Sequence, residues 1–276
     1  NVVVKVYKET SANVYALSRT ETYVAVNGYN DYIDGVNKIN TNEIITVLAD
    51  NTKTLYYYRT AVLPYVNLFI DSVLGDVLEL NYRDARGRNL VNTVLVAAGD
   101  ASQLQMLKIP LSTSSIKYDD ENKLEIKFTR GGTIFTFNYT VVALCEIKYT
   151  PVVCSFINQK GGWEFLTFFK AQSESMSIEN TSFRLNAASI NYDPLTGQTK
   201  NFNTNGSKPI KLNTGWIEQI QNKTIEELML SETILLDNKP FSLATKQLAF
   251  KTDLVDKNIN YTIDFTPNFE LINNVV

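Results

Sequence analysis

Leu212-Asn-Thr-Gly-Trp-Ile-Glu-Gln-Ile-Gln-Asn-Lys-Thr-Ile-Glu-Glu-Leu-Met-Leu-Ser231 decides how the rest of the chain is read, because its spacing is helical while the flanking sequence alternates like strands. Ile217, Ile220, Ile225, Leu228 and Met229 recur at three- and four-residue intervals, and Glu218, Gln219, Gln221, Lys223, Glu226 and Glu227 take the positions between them. That pattern predicts one amphipathic helix near 215–230 with its apolar face on a sheet. Asn213 or Thr214 is placed to accept from its first free amides. Thr233-Ile-Leu-Leu-Asp-Asn-Lys-Pro240 then reads as a strand entering a tight turn.

A chain of 276 residues exceeds one average domain and can bury two or three cores. Apolar residues are 44% and charged ones 20%, the balance of a globular protein and not of a disordered one. With 15 Tyr and 14 Phe, the composition favours sheet. The net charge is −3 with both signs scattered, so no basic face stands ready for a phosphate backbone and nucleic acid is not expected as a partner. The longest nearly uncharged runs, Ala61 to Ile70 and Thr133 to Cys145, are too short or too polar to cross a bilayer, so membrane insertion is not expected either. Asn1-Val-Val-Val-Lys-Val-Tyr-Lys-Glu-Thr10 lacks the pattern of a secretion signal, which favours synthesis in a cytosol.

Histidine is absent. Ser-His and Cys-His activation and imidazole metal sites are thereby excluded, and no cofactor, metal or catalytic residue is expected. Cys145 and Cys154 are read as small buried hydrophobes, with a disulfide as the alternative.

Residues 1–60 read as an N-terminal β arm or small sheet, with strands at Val2 to Tyr7, Tyr23 to Val26, Ile44 to Leu48 and Leu55 to Arg59. Such an arm can add a strand to a neighbouring subunit. Residues 61–150 carry about seven evenly spaced strands: Val66 to Ser72, Val77 to Arg83, Val91 to Val96, Leu104 to Ile109, Leu124 to Thr129, Thr133 to Tyr139 and Val142 to Tyr149. In the second of these Leu78, Leu80 and Tyr82 oppose Val77, Glu79 and Asn81; in the fifth Leu124, Ile126 and Phe128 oppose Glu125, Lys127 and Thr129. Arg130-Gly-Gly132 marks a two-residue hairpin turn.

Pro151 starts a third segment, 151–276, a C-terminal β domain containing the helix. Its stretch from Asn180 to Lys208 is either a pair of protruding strands or a loop, and Phe241 to Leu243, Ala249 to Leu254 and Asn260 to Phe265 close its sheet. The fold class expected is mainly β: tandem antiparallel β-sandwich modules of immunoglobulin or fibronectin type, with one amphipathic helix in the C-terminal domain.

Trp163, after Gly161-Gly162, and Trp216, after Gly215, are the candidate contacts for a glycan or a partner, since an indole face beside an acid can hold a sugar. The plainer reading makes each a core or interface plug. Asp119-Asp120 and Glu226-Glu227 are read as a turn and a solvated helix face, in preference to glycosidase carboxylates or a calcium cluster.

From Val152 onward, Phe156-Ile-Asn-Gln-Lys-Gly-Gly-Trp-Glu-Phe-Leu-Thr-Phe-Phe169, Leu212-Asn-Thr-Gly-Trp-Ile217 with Glu227-Leu-Met-Leu-Ser-Glu232, and Asn258-Ile-Asn-Tyr-Thr-Ile-Asp-Phe265 with Ile272-Asn-Asn274 resemble a group of structural proteins of tailed bacteriophages, particularly those of Bacteroidetes hosts. The resemblance covers a little under half the chain. It implies a tail or tail-tip component of the virion, ring- or baseplate-like and made in the host cytoplasm, that forms a homo-oligomer and contacts other tail proteins without enzyme activity. The alternative is an adhesin that binds a carbohydrate or host receptor, such as a surface glycan.

Overall fold

The computed structural model describes residues 2–23, 28–29, 33, 45–48, 54–57, 65–72, 75–84, 86–96, 103–110, 122–144, 148–185, 195, 197–251, 258–269 and 271–272. The protein is mainly β, with several sheets and one short α-helix among these residues. Its contacts divide into two compact units. Unit 1 takes Asn1–Leu55, Leu63–Val142 and Ile157–Glu164; unit 2 takes Tyr56–Val62, Ala143–Phe156 and Phe165–Val276.

Unit 1 begins with β1 (Val2–Ser11) and β2 (Val14–Tyr23), an antiparallel ribbon that forms a sheet of its own. The chain continues through β3 (Ile45–Val47), β4 (Thr54–Tyr57), β5 (Tyr65–Ser72), β6 (Val77–Arg83), β7 (Asn89–Val96), β8 (Gln103–Pro110), β9 (Asn122–Arg130) and β10 (Thr133–Ala143). These make a three-stranded sheet ordered β3-β5-β8 and a five-stranded sheet ordered β4-β10-β9-β6-β7.

In the larger sheet the alternation seen in the sequence is kept. Leu78 pairs with Phe128, Leu80 with Ile126 and Tyr82 with Leu124, all buried on one face. On the other face Glu79 meets Lys127 at 3.2 Å and Arg83 meets Glu125 at 3.0 Å. Arg130 pairs with Thr133 across Gly131 (φ +53°) and Gly132 (φ +84°), the doubly left-handed turn that a two-residue hairpin requires. One expectation is corrected. The strand ending at Tyr139 runs on to Ala143, and Lys148 to Thr150 are not strand, so Val142 to Tyr149 is not a separate element.

Buried polar groups tie the turns. Asp76 accepts both Arg130 Nε (2.9 Å) and Nη2 (2.5 Å), which clamps the β5–β6 turn to the end of β9. Asp84 accepts the Arg88 and Arg86 amides (2.8 and 3.0 Å) and Arg88 Nε (2.7 Å). Asn158, 2% exposed, uses its whole amide: Oδ1 accepts the Lys160 and Gly162 amides (3.1 and 2.9 Å), and Nδ2 donates to Leu48 O (2.5 Å) and Glu164 Oε2 (3.1 Å). Leu48 in turn donates its amide to Asn67 O, and Asn67 Nδ2 donates to Trp163 O.

Unit 2 contains β11 (Val152–Ile157) as far as Phe156, β12 (Trp163–Phe168) from Phe165 onward, β13 (Ser173–Glu174), β14 (Ser177–Arg184), β15 (Thr199–Ser207), β16 (Ile210–Asn213), β17 (Ile217–Glu218), α1 (Asn222–Leu230), β18 (Ile234–Leu236), β19 (Lys239–Leu243), β20 (Asn258–Ile259), β21 (Thr262–Pro267) and β22 (Leu271–Ile272). Its main sheet has seven strands, ordered β12-β11-β18-β19-β21-β16-β13. Phe156, Phe168, Leu212, Ile263 and Phe265 form the core with Ile225 and Leu228 of α1, and the Phe168 and Phe265 rings meet edge-on at 5.7 Å. Leu236 pairs with Lys239 around Asp237 and Asn238, both at positive φ, so the tight turn expected before Pro240 is present.

The helix is shorter than its spacing suggests. It starts at Asn222, directly after a 3-10 turn at Gln219–Gln221, and not near 215, because the residues before that turn are claimed by strands: Leu212 pairs with Ile263, and Ile217 with Ile259. Neither Asn213 nor Thr214 caps it; the N-cap is Gln221, whose side chain makes no capping bond and accepts the Thr224 hydroxyl at 3.2 Å. Ile220 is exposed and Glu227 buried, the reverse of their expected sides.

Asn180 to Lys208 resolves into the paired strands β14 and β15, and residues 186–194 and 196 lie outside the described set. Of the strand expected from Ala249 to Leu254, the described residues Ala249 to Lys251 are not strand.

Two stability predictions follow from the buried polar groups. Asn158→Asp removes two donors and sets a carboxylate against Leu48 O and Glu164; chemical denaturation is expected to show a loss of about 2–4 kcal/mol. The Arg88 amide, with its guanidinium adding and burial opposing, holds the Asp84 carboxyl below its ordinary 3.8. A depressed folded value means that this stabilisation is present above 3.8 and is lost as pH falls through the folded value. Asp84→Asn is expected to lower the melting temperature at neutral pH and to flatten the acid limb of the stability curve.

Candidate functional site

The turn between β16 and β17 is held from several directions. Asn213 Oδ1 accepts the Gly215 amide at 2.8 Å, and its Nδ2 donates to Thr262 Oγ1 at 2.9 Å. Thr214 donates its amide to Tyr261 O and accepts the Tyr261 amide on Oγ1, both at 2.9 Å, then donates that hydroxyl to Gly215 O. Gly215 has φ +74° and lies against the Phe169 ring, where a Cβ would collide. Only glycine meets both demands.

The consequence is a fixed platform for Trp216, which is 57% exposed. Trp216 lies just before β17; Ile217 next to it is buried, and Glu218, two residues on, is exposed like the indole. Burial and then the Glu218 charge raise the Tyr56 phenol above its ordinary 10.0. An exposed indole beside a carboxylate can stack on the apolar face of a sugar and accept its hydroxyls, or seat a partner's side chain. It provides no nucleophile.

Trp163 differs. It opens β12 half-buried, with its carbonyl taken by Asn67, and the acid next to it, Glu164, is 5% exposed and bonded to Asn158. The two tryptophans fall in different compact units. Glu226 faces solvent while Glu227 is buried, so this pair does not present two carboxylates together. Asp119-Asp120 lies outside the described residues. Cys154 is a free, fully buried thiol whose ionisation is pushed far up by burial, and Cys145 lies outside the described residues. Among the described residues no three His, Cys, Asp or Glu side chains converge.

Two further surfaces were not marked residue by residue in the sequence. The β1–β2 ribbon exposes every side chain from Val3 to Thr20. The β14–β15 pair exposes all of Ser177–Arg184, with Phe183 and Phe202 meeting edge-on at 5.7 Å in the open. Their apolar residues look, in sequence, like those of any half-buried strand. The chain matches no family model, no curated protein and no solved structure.

With only two tryptophans in the chain, each can be watched alone. Trp163→Phe leaves Trp216, whose emission is expected to be red-shifted and strongly quenched by acrylamide; Trp216→Phe leaves an indole that is blue-shifted and less accessible. Gly215→Ala is expected to cost about 1–3 kcal/mol in denaturant unfolding, through its positive φ and the Phe169 contact together.

Proposed function

We propose that the chain is a non-enzymatic structural component of a bacteriophage virion, in the tail or tail tip, which associates with itself and with neighbouring tail proteins. The observation that carries it is the β1–β2 ribbon, which turns valines, tyrosines and a leucine to solvent on both faces. Apolar surface of that kind on a strand pair is what a protein in a larger assembly covers on binding. The phage assignment itself draws on the resemblance of residues 156–169, 212–232 and 258–274, and a mainly β architecture is compatible with it. On the same reading the three-stranded and five-stranded sheets pack as an immunoglobulin- or fibronectin-like sandwich over 61–150, joined by β3 and β4 from before it, and unit 2 is a β domain bearing the helix.

Peptides of this chain are expected in mass spectra of purified particles, at a copy number above one per virion, with antibody labelling confined to the tail. Their absence from particles of the phage that encodes the chain would overturn the assignment.

A second reading has its own observation, the exposed Trp216 next to the pinned Gly215 turn, with an exposed carboxylate, Glu218, two residues on. As an adhesin the protein would bind host-surface glycan there, and Trp216→Ala would abolish retention on immobilised host polysaccharide while leaving the melting temperature unchanged. Equal retention of both proteins, or none by either, excludes it.

A further inference from the structure

Two β-strands alone are marginal in water, and an independent sheet needs at least three with an apolar face or a covering layer. The β1–β2 ribbon has neither, with Val4, Val6, Tyr7, Tyr15 and Leu17 all exposed.

Its two edges are not equivalent. On β2 the register steps from Arg19 to Leu17 and leaves Ser18 as an inserted residue, and such a bulge spoils an edge for further pairing. On β1 no residue is inserted from Val2 to Glu9; the first is Thr10. The uninterrupted edge is therefore β1.

The side chains along β1 carry a self-complementary pattern. Val3, Lys5, Tyr7 and Glu9 lie on one face. If β1 pairs antiparallel with β1 of a second copy about a two-fold axis through Tyr7, Lys5 stands opposite Glu9 of the second copy and Glu9 opposite its Lys5. The two Tyr7 rings meet at the axis. Moving the axis one residue to Val6 puts Lys5 opposite Tyr7 and Glu9 opposite Val3, so no charge is matched. Moving it to Lys8 sets like charges face to face, which is unfavourable between directly opposed strand residues. Glu9 Oε1 already accepts the Asn13 amide at 3.0 Å, and its second oxygen remains to meet a lysine. Arg19 and Glu21 form their own ion pair within the ribbon and are not required.

We infer that β1 is a self-pairing edge: two copies join β1 to β1, in the register centred on Tyr7, and turn two ribbons into one four-stranded sheet. The contact is isologous and closes at two copies, so contacts with other tail proteins use other surfaces. The inference rests on the self-association proposed above and names its contact.

Sedimentation velocity on the full chain over a concentration series tests it. The wild type is expected to dimerise. Lys5→Glu and Glu9→Lys each convert both attractive pairs to repulsive ones and are expected to weaken the dimer by roughly tenfold or more. An equimolar mixture of the two variants restores opposite charges in the heterodimer and is expected to dimerise like the wild type. Melting curves of the separate variants control for folding, and the recovery on mixing can come only from folded chains. If either variant self-associates as well as the wild type, or the mixture fails to recover, this contact is wrong while assembly through another surface stands. A wild type that stays monomeric at every concentration removes the inference, and detection of the chain in virions then decides the broader assignment separately.

Discussion

A β-strand can give a core only every second residue, and this period of two governs where the protein has an interior and where it has none. In β6 and β9 the period is matched by a chemical alternation, so Leu78, Leu80, Tyr82, Leu124, Ile126 and Phe128 go inside while Glu79, Lys127 and Glu125 pair outside. In β11 the run from Val152 to Phe156 is buried throughout, as a strand covered on both sides must be. From Val3 to Thr20 in β1 and β2, and throughout β14, neither face is covered. One rule thus separates strands that make the fold from strands that the fold holds out.

Where the strands turn, the cost of burying backbone is met by side-chain amides and carboxylates. Asn158 closes its own loop and also reaches Leu48, which lies 110 positions away. Asp76 and Asp84 do the same work with arginines that remain partly in water, so each charge keeps a partner and the strand ends are fixed in register. Thr214 and Tyr261 form a two-way backbone and side-chain link that fixes β16 beside the start of β21. These bonds matter less for their net energy than for what their absence would leave: buried donors and acceptors without partners.

How much of this was legible in the sequence depended on whether local pattern and tertiary demand agreed. They agreed for β6, β9, the Gly131-Gly132 hairpin and the Asp237-Asn238 turn, where a charge alternation or a left-handed residue leaves little choice. They disagreed between Leu212 and Gln221. Ile217 and Ile220 happen to fall at helical spacing with Ile225, but Leu212 and Asn213 pair with β21, Ile217 and Glu218 pair with β20, and Gly215 breaks any longer helical run with its positive φ, so only a 3-10 turn at Gln219–Gln221 precedes α1. Period 2 and period 3.6 cannot be told apart over so few residues. The site was legible only in kind: both tryptophans stood out, and nothing in the sequence distinguished the half-buried Trp163 from the exposed Trp216. What distinguishes them is the Asn213-Thr214-Gly215 turn, whose bonds run to residues about 47 positions away.

The exposed ribbons were the least legible feature, since Val2-Val-Val-Lys-Val-Tyr7 has the composition of a buried strand. Left uncovered, such a segment is an aggregation hazard, and proteins blunt it with charges, bulges or a partner. The ribbon uses the first two devices unevenly: Ser18 bulges from one edge, while Lys5 and Glu9 flank Tyr7 on the other without interrupting it. A lysine on an edge strand repels most strands that approach it, but an acid four residues away makes one approach favourable, that of the same strand running the other way. The charges that keep unrelated edges off therefore select this one, so solubility and specificity at β1 come from the same two residues.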